Sequence, residues 1–300
     1  MPASSADHVP STSVRCAAAE YVRRGYLVFP VNASSRAPWF ANGTHSTWAP
    51  DRGGSAGHRC ATASVDVVES AWPLVTSVAV GLVPTEGVVV IDADEKHRPG
   101  IVDLLLGRWP TLAVGGYHAT RSRGGHFPLR LPRGVELRQS VNRELGVDVR
   151  VGGRGYVVAP PCPGYHVVRP FAHVATLPEA PVSLIVYLQA SALRRTAPVA
   201  HANAVVSVAS LPRYVWSAVR DEHAHVASAR EGARNDTLFR SAFRLGTLVG
   251  AGALASDDAL DALLLAAIDV GLPRREALRT IDSGLSYGAQ HPRVLVGGDS

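Results

Sequence analysis

Two aspartates one residue apart, Asp92 and Asp94, close the run Val88-Val89-Val90-Ile91-Asp92-Ala93-Asp94. A β-branched run of this kind is expected as a buried strand. On a strand residues i and i+2 share a face, so the two carboxylates project side by side. Adjacent like charges repel unless a cation lies between them, and hard divalent ions such as Mg²⁺ take carboxylate oxygens, commonly shared with substrate phosphates. A third acid, Asp148, sits in the alternating segment Gly146-Val147-Asp148-Val149-Arg150, which can turn one carboxylate to one face while its valines pack the other. Between them, Thr120-Arg121-Ser122-Arg123-Gly124-Gly125-His126-Phe127 offers glycines for close backbone approach, with hydroxyl, guanidinium and imidazole donors for phosphate. Carboxylates beside a histidine and arginines are what metal-assisted phosphoryl or nucleotidyl transfer needs: metals activate a hydroxyl and stabilise the leaving oxygen while Arg and His hold a polyphosphate. Each piece also has a plainer reading, an exposed strand end opening a turn for Asp-x-Asp, and a β-turn with a solvated histidine for Gly-Gly-His. The metal chemistry requires the strands to be neighbours.

The elements that must position these residues follow from periodicity. Val14, Ala17, Ala18, Tyr21 and Val22 mark one face of an amphipathic helix, with Ser13 as N-cap and Gly25 as its stop. Tyr26 to Val31 reads as a strand closed by Pro30, and Asn32 to Gly57 as a long Ser/Gly/Pro/Trp-rich loop. His45, His58 and Cys60 lack metal-ligand spacing and read as surface residues. Ser64 caps a short helix through Trp72, a strand follows over Val75 to Val83, and the Thr85-Glu86-Gly87 turn predicts an antiparallel hairpin with the Asp92/Asp94 strand. Gly100 to Trp109 has helical spacing, and a glycine-rich turn at Gly152-Gly153-Arg154-Gly155 leads into a strand stopped by Pro160-Pro161.

The 300 residues suffice for one large domain or two ordinary ones, and 46% hydrophobic with 18% charged residues describes a folded rather than a disordered chain. A net charge of +5 suits a polyanionic partner without requiring one. Three scattered cysteines, Cys16, Cys60 and Cys162, argue against a disulfide framework and for a reducing compartment. With no apolar signal core near Met1 and no membrane-length apolar run, the expectation is a soluble cytoplasmic protein with no membrane partner. No G-x-x-x-x-G-K-[ST] occurs, which excludes a P-loop ATPase.

The order of these parts is what identifies them. An Ala-rich helix, a Gly-x-x-Val-Phe-Pro strand, Ala61-Thr62 before the helix ending in Trp72, a strand ending in Asp-x-Asp, a Thr…Gly-Gly…His segment, and Gly-x-Asp-x-Arg before a Gly-rich turn and Pro-Pro stop together resemble the bifunctional DNA primase/polymerase (prim-pol) domain of the archaeo-eukaryotic primase superfamily, over about Ala17 to Val168. The resemblance implies an α+β fold, a prim-pol catalytic domain with an RRM-like antiparallel sheet followed by a small all-α helical bundle. It implies that Asp92, Asp94 and Asp148 hold Mg²⁺ or Mn²⁺ as the catalytic acids and that His126 contacts the phosphates of the incoming nucleotide. Ser122 matches the small residue before that histidine and Arg150 the arginine after the third acid; Arg121 and Arg123 are further candidates for the triphosphate. Four places depart from the family pattern: Arg36-Ala37-Pro38 replaces Lys-x-Pro, Ser64 replaces the Asp of Ala-Thr-x-Asp, Gly124-Gly125 abut His126, and the family does not predict the long Asn32–Gly57 loop.

The expected division is a catalytic domain over 1–192, a linker over 193–210, and a helical domain over 211–300. Helices are expected around Tyr214 to Val219, Leu238 to Leu245 and Leu260 to Ile268, the last capped by Ser256-Asp257-Asp258, and over Pro273 to Tyr287. Gly232-Ala233-Arg234-Asn235 and Gly284 to Arg293 resemble the helical domain that follows prim-pol domains in mobile-element primases; Arg234, Arg240 and Arg244 are either its solvated face or a DNA-binding one. The reading is a template-dependent DNA primase/polymerase that makes or extends primers on single-stranded DNA from NTP or dNTP, in a plasmid, phage or integrated element, with any replicative helicase a separate chain. The alternatives are a non-catalytic DNA-binding replication-initiation protein with a degenerate prim-pol fold, and a metal-dependent phosphoesterase.

Overall fold

A computed structural model describes residues 11–39, 57–135, 137–193 and 211–294. The elements run α1 (Ser11–Arg23), β1 (Leu27–Asn32), α2 (Val65–Ala71), β2 (Val78–Val83), β3 (Val88–Ala93), α3 (Ile101–Arg108), β4 (Tyr117–Ala119), β5 (Gly125–Arg130), β6 (Ser140–Asn142), β7 (Val147–Val151), β8 (Val157–Ala159), β9 (His166–Arg169), then α4 (Val182–Leu193), α5 (Leu211–Ala227), α6 (Arg234–Gly250), α7 (Ser256–Asp269) and α8 (Arg274–Ala289). The architecture is α+β, antiparallel sheets first and a cluster of helices after them. His45, with the central part of the expected Asn32–Gly57 loop, and all but the first residue of the expected linker lie outside the described residues.

Contacts divide the chain into two units, one of residues up to Leu131 with Leu137–Glu179, the other of Pro132–Glu136 with the residues from Ala180 onward. This grouping and the sequence-based division at 192 differ in α4, whose Val186 belongs to the same core as α5–α8.

The first unit holds a three-stranded sheet in the order β1-β2-β8 and a six-stranded sheet in the order β6-β7-β3-β5-β4-β9. Its apolar core gathers Val14, Ala18, Tyr21 and Val22 of α1 with Val28, Phe29 and Val31 of β1 and Val80 and Leu82 of β2, so the face read from the 3.6-residue period is the buried one. α1 begins at Ser11, ahead of the expected cap at Ser13, and the chain reverses at Gly25, where φ is +88°. Ser64 caps α2 as expected, its hydroxyl accepting from the Val67 N–H at 3.3 Å. Pro30 does not end β1, which continues to Asn32; β1 is an outer strand of its sheet, where a missing N–H is tolerated.

The hairpin expected across Thr85-Glu86-Gly87 does not form. β2 pairs with β1 and β8, and β3 with β5 and β7, so the turn carries the chain from one sheet to the other. β2 is buried at all six positions and β3 at five of its six. Each is an interior strand flanked on both sides, which leaves no edge through which the two could pair.

The helical unit packs Val215 and Val219 of α5, Leu238 and Leu245 of α6, Leu263 of α7 and Ile281 of α8 into one core. α6 and α8 approach at glycines: a Cβ on Gly246 would lie 2.6 Å from the Leu285 carbonyl oxygen. The N-cap of α7 is Ala255, without a side-chain bond, and Ser256 is the first helical residue. Asp258 instead accepts from the Ser183 hydroxyl at 3.0 Å, joining α7 to α4. Arg240 pairs with Asp236 at 3.0 Å and Arg244 with Glu222 at 3.2 Å. Among the described residues no helix is long and apolar enough to cross a membrane.

Candidate active site

β3 is an interior strand of the larger sheet, and its end sets the register of the site. Asp92 is directly opposite His126 of β5 on one side and Asp148 of β7 on the other, and His118 of β4 lies opposite His126 in turn. Direct cross-strand partners share a face, so one row across four strands carries two histidines and two aspartates. Two residues along β3, Val90 is opposite Arg150, which therefore projects on that face too.

The side chains interlock. The Arg150 guanidinium donates to Asp148 Oδ2 at 2.7 Å and lies 3.7 Å from Asp92 Oδ2. His126 Nε2 lies 3.3 Å from Asp92 Oδ1, and its buried Nδ1 has no hydrogen-bond partner among the described residues. Asp148 Oδ1 accepts from the Asn142 N–H at 3.2 Å. Asp94 follows the end of β3: its N–H donates to the Gly146 carbonyl at 2.8 Å, its Oδ1 accepts from the Lys96 N–H at 2.9 Å, and its Oδ2 is 3.5 Å from His97 Nε2.

These surroundings drive the two facing carboxyls apart. Burial opposes ionisation of Asp92, but His126 and Arg150 outweigh it and hold the carboxyl below its ordinary pKa. Asp148 is pushed up, by burial first and by Asp92 and Asp94, against the pull of Arg150. His118 is fully buried, stacked on Phe171 with ring centroids 3.6 Å apart and edge-on to Tyr21 at 5.8 Å. Burial lowers its pKa to about 3, so it is neutral at physiological pH.

A cleft of about 600 Å³ opens on this row. Of the residues expected from sequence, Asp92, Asp94, Ser122, His126 and Arg150 line it. Asp148 is tied to it through Arg150. Arg121 and Arg123 are placed elsewhere: Arg121 Nη2 donates to the Ser34 carbonyl at 3.5 Å while its stem lies on Gly164, and Arg123 is exposed with φ of 61°. Gly124 was expected to open the backbone to phosphate, but its close approach is to the Ala93 carbonyl, onto which a Cβ would fall. The absence of a residue between Gly125 and His126 follows from β5 starting at Gly125, in register with Ala93.

The cleft also has residues that sequence reasoning did not select: Ser35, Arg36, His58, Gln139, Tyr156 and Tyr165. His58, set aside as a surface residue, stacks on Tyr156 at 6.3 Å, and Cys60, set aside with it, is buried at 3% exposure. The departure Arg36-Ala37-Pro38 was the available signal for the first wall, and the Tyr in Gly155-Tyr156-Val157 for the second.

Among the described residues no three His, Cys, Asp or Glu side chains stand together as a metal-ion cluster. The Arg150 guanidinium is engaged by Asp148 and Asp92, and Asp94 turns one oxygen to the Lys96 N–H. The donors are nonetheless of the right kind: Mg²⁺ is ordinarily held by one or two carboxylates together with substrate phosphates, and Asp92 and Asp94 both line the cleft.

A family model described as bifunctional DNA primase/polymerase, N-terminal, matches residues 18–180, which takes in every strand of the two sheets. No curated protein matches the chain.

Proposed function

This chain belongs to the bifunctional DNA primase/polymerase family, and we propose that it is a template-dependent nucleotidyltransferase that synthesises or extends primers on single-stranded DNA. The observation that carries the reading is the row across β5, β3 and β7: His126, Asp92 and Asp148 in direct register, with Arg150 on the same face and Asp94 at its end, opening on a cleft large enough for a nucleotide.

In this reading Asp92 and Asp94, with Asp148, hold Mg²⁺ or Mn²⁺, which supply charge stabilisation for the attacking and leaving oxygens. His126, held against Asp92 through Nε2, lines the cleft where a phosphate oxygen would sit. Ser122 and Thr120 line the same cleft as hydroxyl donors. Arg150 restrains both acids before substrate arrives and can follow the anionic charge of the bound phosphates. NTP or dNTP are the substrates, a plasmid, phage or integrated element is the replicon, and a helicase, where one takes part, is a separate chain.

The test is an incorporation assay with purified protein, single-stranded template, labelled nucleotides and Mg²⁺ or Mn²⁺, with and without an annealed primer. Template-length products that vanish on chelation and in the Asp92→Ala/Asp94→Ala double variant are the expected result. Salt-sensitive DNA binding without products would instead establish a non-catalytic DNA-binding protein. Nucleotide hydrolysis independent of template would establish a phosphoesterase.

A further inference from the structure

Among the described residues, the two non-glycine positions with a left-handed backbone are both arginines on turns beside the cleft, Arg36 (φ 63°) after β1 and Arg123 (φ 61°) before β5. Such a conformation is unfavourable for a residue carrying a Cβ and persists where the surroundings over-determine it, commonly at ligand clamps. Two hydrogen bonds hold the Arg36 backbone. Its N–H donates to the Asn32 carbonyl at 2.8 Å and its own carbonyl accepts from Tyr156 Oη at 2.8 Å, while Tyr165 lines the cleft beside it, near enough to feel its charge. Tyr156 is itself fixed edge-on to Phe29 at 5.0 Å. Arg36, Tyr156 and Tyr165 line the same cleft as Asp92 and Asp94.

Among the described residues the cleft is lined by two arginines, Arg36 and Arg150. Arg150 is engaged by the Asp148 and Asp92 carboxylates. Arg36 has no carboxylate of the described residues paired against it and stays exposed, with Ser35 beside it in the lining. A guanidinium presented in this way, in a cleft that also holds carboxylates, matches a ligand that is anionic at one end and metal-bridged at the other.

We propose that Arg36 is the triphosphate anchor of the cleft: its guanidinium takes the terminal phosphates of a nucleoside triphosphate, and Tyr156 holds the turn that aims it. The inference rests on the nucleotidyl-transfer reading and names the residue that makes the site selective for triphosphates. Arg36→Gly removes the cation and leaves a backbone that adopts the same φ without strain, so the turn keeps its shape.

The experiment is direct binding of a fluorescent nucleoside triphosphate and of its monophosphate, with Mg²⁺, to the full chain as wild type, Arg36→Gly, Arg36→Lys and Tyr156→Phe, with Tm measured on each. Arg36→Gly is expected to weaken the triphosphate ~10- to 100-fold, the range for losing a charged hydrogen-bonding partner. The monophosphate should change less than about twofold and Tm should hold or rise. Arg36→Lys, a point charge without the fork, falls between wild type and Arg36→Gly, and Tyr156→Phe weakens the triphosphate in the same direction. Triphosphate binding by Arg36→Gly within about twofold of wild type overturns the inference alone, as does equal weakening of both nucleotides with a lowered Tm. A wild-type chain that binds no nucleoside triphosphate removes the nucleotidyl-transfer reading and this inference together.

Discussion

Asp92 and Asp148 are direct cross-strand partners, and one guanidinium, that of Arg150, reaches both: 2.7 Å from Asp148 and 3.7 Å from Asp92. The pKa values of the two acids nevertheless shift in opposite directions. Relative to the unfolded chain, the folded state favours ionisation of Asp92 and disfavours that of Asp148. For Asp92, stability is present above the unfolded-state pKa and lost as pH falls through the depressed folded value; for Asp148, ionisation near neutral pH works against folding. Asp92→Asn is therefore expected to lower Tm at pH 7, leaving His126 without its carboxylate and Arg150 with Asp148 alone. Asp148→Asn keeps one oxygen for the two donors Arg150 and Asn142 N–H but removes a carboxylate whose ionisation works against folding, so it should lower Tm less than Asp92→Asn. Both should lose incorporation by on the order of 100-fold or more. Thermal unfolding beside a primer-extension assay checks this; a Tm loss in Asp148→Asn equal to that in Asp92→Asn would refute the division of roles.

His118 supplies a pH dependence of known sign. Its pKa is near 3 in the folded chain, against about 6.5 when unfolded. The unfolded state therefore binds the proton first, so the contribution is fully present above about pH 6.5 and is lost as pH falls below it, by about 1.4 kcal/mol per unit down to pH 3. His118→Phe preserves a flat ring against Phe171 and Tyr21 and should flatten the stability profile between pH 6.5 and 4 relative to wild type. Parallel curves for the two proteins from denaturant titrations across that range would contradict the assignment.

How much of this was legible beforehand depends on the range of the interaction. β3 with Asp92, the cap at Ser64 and the four helices from α5 to α8 rest on local period and composition and stand where expected, whereas Asp94, expected on the strand, lies just past its end. The Thr85-Glu86-Gly87 turn misled because its local chemistry is the same whether the next strand pairs back or crosses to another sheet. Burial of β2 and β3 on both faces is a tertiary fact, hinted at only by their largely apolar, valine-rich runs. Gly124 was read for the right property, close approach, against the wrong neighbour. Arg36, His58, Tyr156 and Tyr165 gather from four separate stretches, and nothing in Ser35-Arg36-Ala37 announces a left-handed arginine, which sequence reasoning assigns to glycine or asparagine.

Gly124, the residue before β5, packs directly on the Ala93 carbonyl of β3. A methyl group there would fall on the Ala93 carbonyl oxygen, with Thr120 Oγ1 2.9 Å away, and backbone has to shift to admit it. Gly124→Ala is thus expected to cost about 1–3 kcal/mol, the usual range for overpacking. Because Ala93 and Gly125 are in register next to the Asp92–His126 pair, the same shift displaces His126 from Asp92. Incorporation, measured at a temperature where the variant is fully folded, should fall by at least tenfold, a larger loss than its folded fraction explains. Full activity in the folded variant would show that the Asp92–His126 spacing is not critical.

Gly288 and Gly107 make opposite predictions for one chemical change. Both occupy helical positions, where Gly→Ala alone gains roughly 0.5–1 kcal/mol. On Gly107 of α3 an added Cβ meets nothing within 4 Å, so the propensity gain stands alone and Gly107→Ala should be stabilising. On Gly288 of α8 it would fall on the Phe243 carbonyl oxygen and stand 2.9 Å from the Gly246 Cα. Both obstacles are α6 backbone, with no flexible side chain to yield. The two helices must separate, and the overpacking cost of about 1–3 kcal/mol exceeds the propensity gain. Gly288→Ala should therefore lower the Tm of the helical unit, and Gly288→Leu should lower it further. If calorimetry found Gly288→Ala as stable as wild type, α6 and α8 would not be packed backbone to backbone as their glycines require.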